Sequence, residues 1–174
     1  MSLKVEYLDI VDEKDNIVTP HVPYEEVHAK HARHRVVHVM IFNSAGEFLL
    51  QLRSKDKSAF PNYWTFSAGG HVRHGESYED ALVRETKEEV GIDVSVGDFE
   101  FKGEGIFTDE SGHKIYYHEY SFLYDGPIDE GENEEVEAVQ FVDWATFEEL
   151  VKDPQEKIHP ELLEILKRHY GRSF

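Results

Sequence analysis

Cysteine is absent from the 174-residue chain. That removes disulfides, thiolate metal sites and cysteine nucleophiles together, and it fits a reducing cytosol. Positive charge is scarce: 18 Lys and Arg stand against 36 Asp and Glu, a formal net charge of −18. Such a surface repels nucleic-acid backbones and anionic membranes, so an anionic substrate would be met through divalent cations. Long apolar runs are also missing, and none approaches the roughly 20 residues of a membrane span. The opening segment, Met1-Ser2-Leu3-Lys4-Val5-Glu6, lacks the cationic and apolar regions of a secretory signal. A cytoplasmic protein is the expectation, with neither a nucleic-acid polymer nor a membrane as partner.

What is present supports a packed core. Hydrophobic residues make up 40% and aromatic residues 13% of the chain, too apolar for a disordered tail. The length favours one domain over residues 1–174. Alternation and turn chemistry predict a hairpin over about 4–20 and a short helix near Pro23–His28. Strands follow at Arg35–Phe42 and Phe48–Leu52. Ser58 to Thr65 reads as an aromatic-rich loop, and Gly69-Gly70 as a break. A helix should start at Ser77 as N-cap, with Asp80 at its third position, and stop at Gly91 in a left-handed cap. Further strands are expected around 93–107, 114–125 and 136–142, with helices near Phe147–Val151 and over 160–170. Mixed strands and helices without strict alternation point to a mixed α/β, or α+β, layered domain.

The chemistry concentrates on the predicted helix after Ser77. Positions three and four apart share a face, so Glu85, Glu88 and Glu89 project together, with Tyr78 and Ala81 on that side. Leu82, Thr86 and Val90 form the packing stripe. Clustered carboxylates repel, and a hard divalent cation such as Mg²⁺ or Mn²⁺ relieves the repulsion with oxygen ligands. Such an ion can bridge a diphosphate and lower the pKa of a bound water. Arg84 can pair with a glutamate and fix its direction. Gly70 permits close backbone approach, and its carbonyl is a further candidate ligand. A solvated Glu-Lys-Glu-Glu face is the competing explanation, and it does not account for the spacing from Gly70 through Glu76 to Gly91.

That spacing resembles the Nudix box, Gly-x5-Glu-x7-Arg-Glu-U-x-Glu-Glu-x-Gly-U, where U is a bulky aliphatic residue. Gly70, Glu76, Arg84, Glu85, Glu88, Glu89, Gly91 and Ile92 match, and Thr86 departs in the first U slot. The resemblance implies an α/β/α sandwich with a central mixed sheet. It also implies metal-dependent pyrophosphatase (pyrophosphohydrolase) chemistry on a nucleoside diphosphate linked to another group. In the family pattern Glu85, Glu88 and Glu89 bind metal, Glu85 can also serve as base, and Arg84 orients Glu85. Glu76 is structural or a minor metal contact.

Segments such as Leu8–Asn16, His34-Arg35, Phe42–Glu47, Leu50–Ser54 and Pro61–Trp64 resemble the isopentenyl-diphosphate isomerase-like branch. Isomerases of that branch carry a catalytic cysteine where Ala68-Gly69 stand, and they erode the Arg-Glu-x-x-Glu-Glu run that is intact here. Hydrolysis is therefore preferred, with isomerisation and a non-catalytic nucleotide-binding module as alternatives. The branch also implies a second metal on a histidine at His71, with His28 and His34 as companions, and a catalytic or ligand glutamate at Glu119.

Further candidates come from the residues alone. Phe60, Tyr63, Trp64 and Phe66 can stack on a base or fill the core. Arg53 and Lys55-Asp56-Lys57 can meet phosphate or lie in a solvated loop. Glu130, Glu132, Glu134 and Glu135 read as a solvated acidic loop or as the source of a base. The implied partner is a small-molecule diphosphate, and a homodimer is compatible with the sequence.

Overall fold

The computed structural model describes residues 5–128 and 134–174. In chain order the elements are β1 (Tyr7–Val11), β2 (Ile17–Pro23), α1 (Tyr24–Ala29), β3 (His34–Phe42), β4 (Phe48–Arg53) and β5 (Trp64–Thr65). Then come β6 (Ala68–His71), α2 (Tyr78–Val90), β7 (Glu100–Thr108), β8 (Lys114–Leu123), β9 (Val136–Val142), α3 (Trp144–Lys152) and α4 (Pro160–Tyr170).

The organising strand is β3. It runs parallel to β8 from His34↔Ile115 to Phe42↔Leu123, and antiparallel to β6 over Val36 to Val39. β7 extends this half through β8, while β4 pairs with β9 and β5. β1 carries the N-terminal hairpin and touches β3 at Ile10↔His34. Among the described residues these strands form one mixed sheet.

A strand covered on both faces needs apolar residues at nearly every position, and β3 supplies them. Val39 and Ile41 pack with Leu82 and Val90 of α2, and Val37 with Tyr78 and Ala81. Val36 and Met40 face the other way, onto Phe147 of α3 and Leu162, Ile165 and Leu166 of α4. The period-two alternation of a strand thus produces the helix–sheet–helix layering expected from the sequence.

α2 forms as its caps dictate. Ser77 accepts from Asp80 N–H, Asp80 closes the reciprocal capping box, and Gly91 takes φ 72° at the C-terminal cap. Thr86 fits its apolar slot because it is fully buried and its hydroxyl donates to the Leu82 carbonyl at 2.8 Å.

Several boundaries differ from expectation. Gly69-Gly70 does not break the chain but lies within β6, where a side chain would collide with neighbouring groups. Trp64-Thr65 forms a short strand against β4 rather than loop. The hairpin runs on to Pro23. The span expected from 93 becomes a strand only at Glu100, because Val96–Asp98 closes a 3-10 turn.

Candidate metal and substrate site

On α2 the packing stripe and the acidic stripe adjoin, so the acidic stripe is itself largely covered. Glu85 and Glu89 are buried, and the Glu88 side chain is half exposed. Burial pushes the Glu85 carboxyl up to about 7, against the pull of Arg84. Burial, followed by the charge of Glu85, pushes Glu89 to about 8. Glu89 accepts the Gly69 N–H at 2.9 Å, which ties the helix to β6.

Arg84 organises the cluster. Its guanidinium donates to both oxygens of Glu76, at 2.8 and 2.9 Å, to Glu85 at 2.6 Å, to Glu88 at 3.1 Å and to the His71 carbonyl at 2.9 Å. Gly70 sits against the Glu85 carboxylate so closely that a Cβ there would overlap it.

These carboxylates open onto a cavity of about 630 Å³. Gly69, Gly70, Glu85, Glu88 and Glu89 line one part of it, and Arg53, Lys57 and Arg73 bring positive charge to its wall. Arg53 donates to the Ala59 carbonyl at 3.1 Å, and Lys57 pairs with Glu135 at 2.6 Å. An oxygen-only set of three glutamates, two held toward their neutral forms by burial and mutual charge, suits a hard divalent cation.

A second cluster adjoins the same cavity, with His28 and His113 on its lining. His28 of α1, His34 of β3 and His113 of the β7–β8 turn bring ring nitrogens within 4.8 Å of one another. The Nε2 atoms of all three are buried without a hydrogen-bond partner. His34 Nδ1 lies 3.0 Å from the Ala32 carbonyl, which fixes its tautomer if that nitrogen carries the proton. The His71 ring stands 5.0 Å from His34 and 5.3 Å from His28. Burial lowers His28 to about 4, His34 to about 3, and His71 and His113 in the same direction.

The NUDIX domain model matches residues 32–167. An uncharacterised Nudix hydrolase of Pseudomonas aeruginosa is 34% identical over 133 residues, covering 76% of this chain and 75% of that one. The chain belongs to the Nudix family. Family and relatives together make it a Nudix pyrophosphohydrolase. Members of this family generally use divalent metals. Among solved structures, a Deinococcus radiodurans protein has a TM-score of 0.74 at 24% identity, covering 95% of this chain and 99% of that chain. The Nudix domain of Shewanella oneidensis NrtR, solved with ADP-ribose, has a TM-score of 0.64 at 18% identity, with 86% and 97% covered. Both likenesses show the Nudix fold.

Within this Nudix fold the structure gathers Glu85, Glu88, Glu89, Gly70, Arg53, His28 and His71 on one cavity, and puts His34 in the adjoining histidine cluster. It sets two sequence candidates apart. Glu119 does not line the cavity: the pleat of β8 turns it under α4, where Tyr170 donates to it at 2.6 Å. Trp64 packs on the α3–α4 core and donates to Glu156 at 2.8 Å, and the next residue, Thr65, faces the cavity instead. Of the acidic loop, Glu135 lines the cavity, while Glu130 and Glu132 lie outside the described residues. Sequence reasoning gave no role to His38, His113, His159 and Glu161, whose segments meet only in the fold. A usable signal was His113 beside the turn-forming Ser111-Gly112.

Proposed function

We propose that this Nudix hydrolase cleaves a diphosphate linkage in a nucleoside diphosphate derivative or a related compound. Glu85, Glu88 and Glu89, with Gly70 beside them, would hold Mg²⁺ or Mn²⁺. The observation that carries the reading is the joining of these carboxylates and Arg53 on one cavity. When bound, the ion neutralises charge on the phosphoryl oxygens and acidifies a water ligand. Arg84 holds Glu85 and Glu88 in place, and Arg53 and Lys57 orient phosphate. Glu85, or Glu135 downstream in the chain, takes the proton as water oxygen attacks phosphorus and the bridging P–O bond breaks, leaving two phosphorylated products. The ADP-ribose seen with the Shewanella domain is one compound of the proposed class.

The histidine cluster supports a second cation site on His28, His34 and His113, with His71 alongside. Three convergent, unpartnered Nε2 atoms form a nitrogen donor set that suits softer ions than Mg²⁺. Isomerisation is not favoured, because no cysteine is present to act as acid–base partner.

The test is release of phosphate or monophosphate from nucleoside triphosphates, sugar nucleotides, dinucleotides and isoprenoid diphosphates, with Mg²⁺ or Mn²⁺. Glu88→Gln should lower turnover at least about a hundredfold, as expected for loss of several kcal/mol of charge stabilisation. Equal turnover by the variant would remove the helix glutamates from the mechanism.

A further inference from the structure

Strand β4 changes character along one face. Successive side chains of a strand alternate, so every second residue shares a side. Leu49 packs with Leu82 and Val90 of α2. Two residues on, Gln51 takes the same side and lines the cavity, and two further on so does Arg53. Gln51 is in the interior of the sheet, opposite Thr65 of β5 and Val139 of β9, and it is only 3% exposed. Phe48, Leu49 and Leu50 before it are buried apolar residues, and an amide breaks that run.

The amide nitrogen is unmatched by the protein. Gln51 Nε2 is buried without a hydrogen-bond partner. It stands near enough to Glu89 to draw that carboxyl toward its ionised form, but Glu89 takes its hydrogen bond from the Gly69 N–H at 2.9 Å. A buried donor left unpaired carries its full desolvation penalty. Such groups are rare in folded proteins and call for a cause. On a cavity wall the cause is a partner that arrives with a ligand.

The surroundings say which ligand. An NH2 group only donates, so a cation gains nothing from it, and an apolar group would leave it unpaired. The guanidinium of Arg53 follows on the same side of the strand, and the α2 carboxylates stand across from it. The acceptor that attracts a guanidinium and also shares a hard cation with carboxylates is a phosphate oxygen.

We propose that Gln51 contacts the substrate: its Nε2 donates to a non-bridging oxygen of the diphosphate, at the phosphoryl group lying between Arg53 and the α2 carboxylates. The inference rests on the proposed seating of a diphosphate beside α2, and it adds a neutral donor that the charged residues do not supply. The oxygen it meets is charged in the ground state and the transition state alike. Loss of the amide therefore acts on KM rather than on kcat.

The test begins with the wild-type chain. Its three glutamines are Gln51, Gln140 and Gln155, and the last two are exposed. With isotope-labelled glutamine, the Gln51 side-chain NH2 signals should shift in NMR spectra when imidodiphosphate, a non-hydrolysable diphosphate, is added with Mg²⁺. The other two pairs of signals should stay in place. Gln51→Met keeps the length of the side chain and removes the donor. Its affinity for imidodiphosphate with Mg²⁺, measured by calorimetry, should fall about tenfold, the scale of one hydrogen bond to a charged group. KM for a hydrolysed diphosphate should rise by a similar factor while kcat stays within about threefold of wild type. The melting temperature should hold or rise, because an unpaired buried donor is gone. Unmoved Gln51 signals, or wild-type affinity for the probe in Gln51→Met, would overturn the contact. A lower melting temperature with kcat and KM damaged together would make Gln51 a structural residue and overturn it equally. Shifted signals in a protein that turns over no diphosphate would leave the contact standing and remove the hydrolytic reading.

Discussion

Arg84 grips both carboxylate oxygens of Glu76 with hydrogen bonds of 2.8 and 2.9 Å, and from that anchored position reaches Glu85 and Glu88. The arrangement uses the planar fork of a guanidinium, which lysine cannot reproduce. Arg84→Lys should therefore lower kcat about 10- to 100-fold, the usual cost of removing a group that orients metal ligands. It should also raise the Mg²⁺ concentration needed for half-maximal rate. Glu76→Gln keeps one acceptor and should fall between the two. A wild-type kcat and Mg²⁺ requirement in Arg84→Lys would show that Glu85 and Glu88 need no such anchor.

The histidine cluster makes a separate prediction, because its ligands come from α1, β3 and the β7–β8 turn rather than from α2. Calorimetric titration with Zn²⁺ should give binding that survives in Glu88→Gln and is lost in His113→Ala and His34→Ala. Nitrogen ligands must be neutral to bind metal. Burial lowers His28 to about 4 and His34 to about 3, so these rings stay neutral well below the ordinary histidine range. Zn²⁺ binding should accordingly persist from pH 7 down to pH 5.5. Equal binding by wild type and His113→Ala would discard the site.

The parts of this structure that were legible in the sequence are those with local causes. The α2 helix was readable to the residue because Ser77, Asp80 and Gly91 cap it through groups within a few positions, and its spacing put three glutamates on one side. β3 was readable as an apolar, β-branched run, and β8 as a strand around 114–125. What was not readable depends on partners far along the chain. β6 looked like a break because Gly69-Gly70 carry no β-propensity, yet tertiary crowding from β3 and Glu85 requires glycine in a strand. Glu119 and Trp64 were recognisable as unusual residues, but which face of a strand they occupy depends on register, and one step of pleat moves a side chain from cavity to core. The cavity also joins positions 38, 60, 66, 159 and 161, and no local pattern links them.

Glu119 gives a pH-dependent prediction. It is fully buried, its Oε2 has no hydrogen-bond partner, and burial pushes its carboxyl up to about 8. The folded state then holds this proton more tightly than the unfolded state, where a glutamate titrates near 4.5. Its stabilising contribution is full below about pH 4.5 and is lost as pH rises through about 8. Glu119→Gln, which keeps an acceptor for Tyr170, should flatten that slope. The melting temperature of the variant should exceed that of wild type by an amount growing between pH 5 and pH 8.5, to on the order of 5 °C. Parallel curves for the two proteins would mean that Glu119 ionises freely where it lies.

The adjacent glycines of β6 separate stability from chemistry. A Cβ at Gly69 would stand 2.5 Å from the Val37 carbonyl oxygen, which is backbone of the central strand and cannot yield without moving β3. Gly69→Ala should cost about 1–3 kcal/mol, as overpacking does, and lower the melting temperature by several degrees. A Cβ at Gly70 would meet the Glu85 carboxylate, the far end of a side chain with free torsions. Gly70→Ala should therefore lower the melting temperature by less than Gly69→Ala, since a side-chain end can swing aside where backbone cannot. It should nevertheless lower kcat at least about tenfold, because the displaced carboxylate no longer lies beside Arg84 and the cavity. Thermal melts and steady-state rates on the two variants decide the matter. Full activity in Gly70→Ala would show that the position of Glu85 against β6 is not needed for turnover.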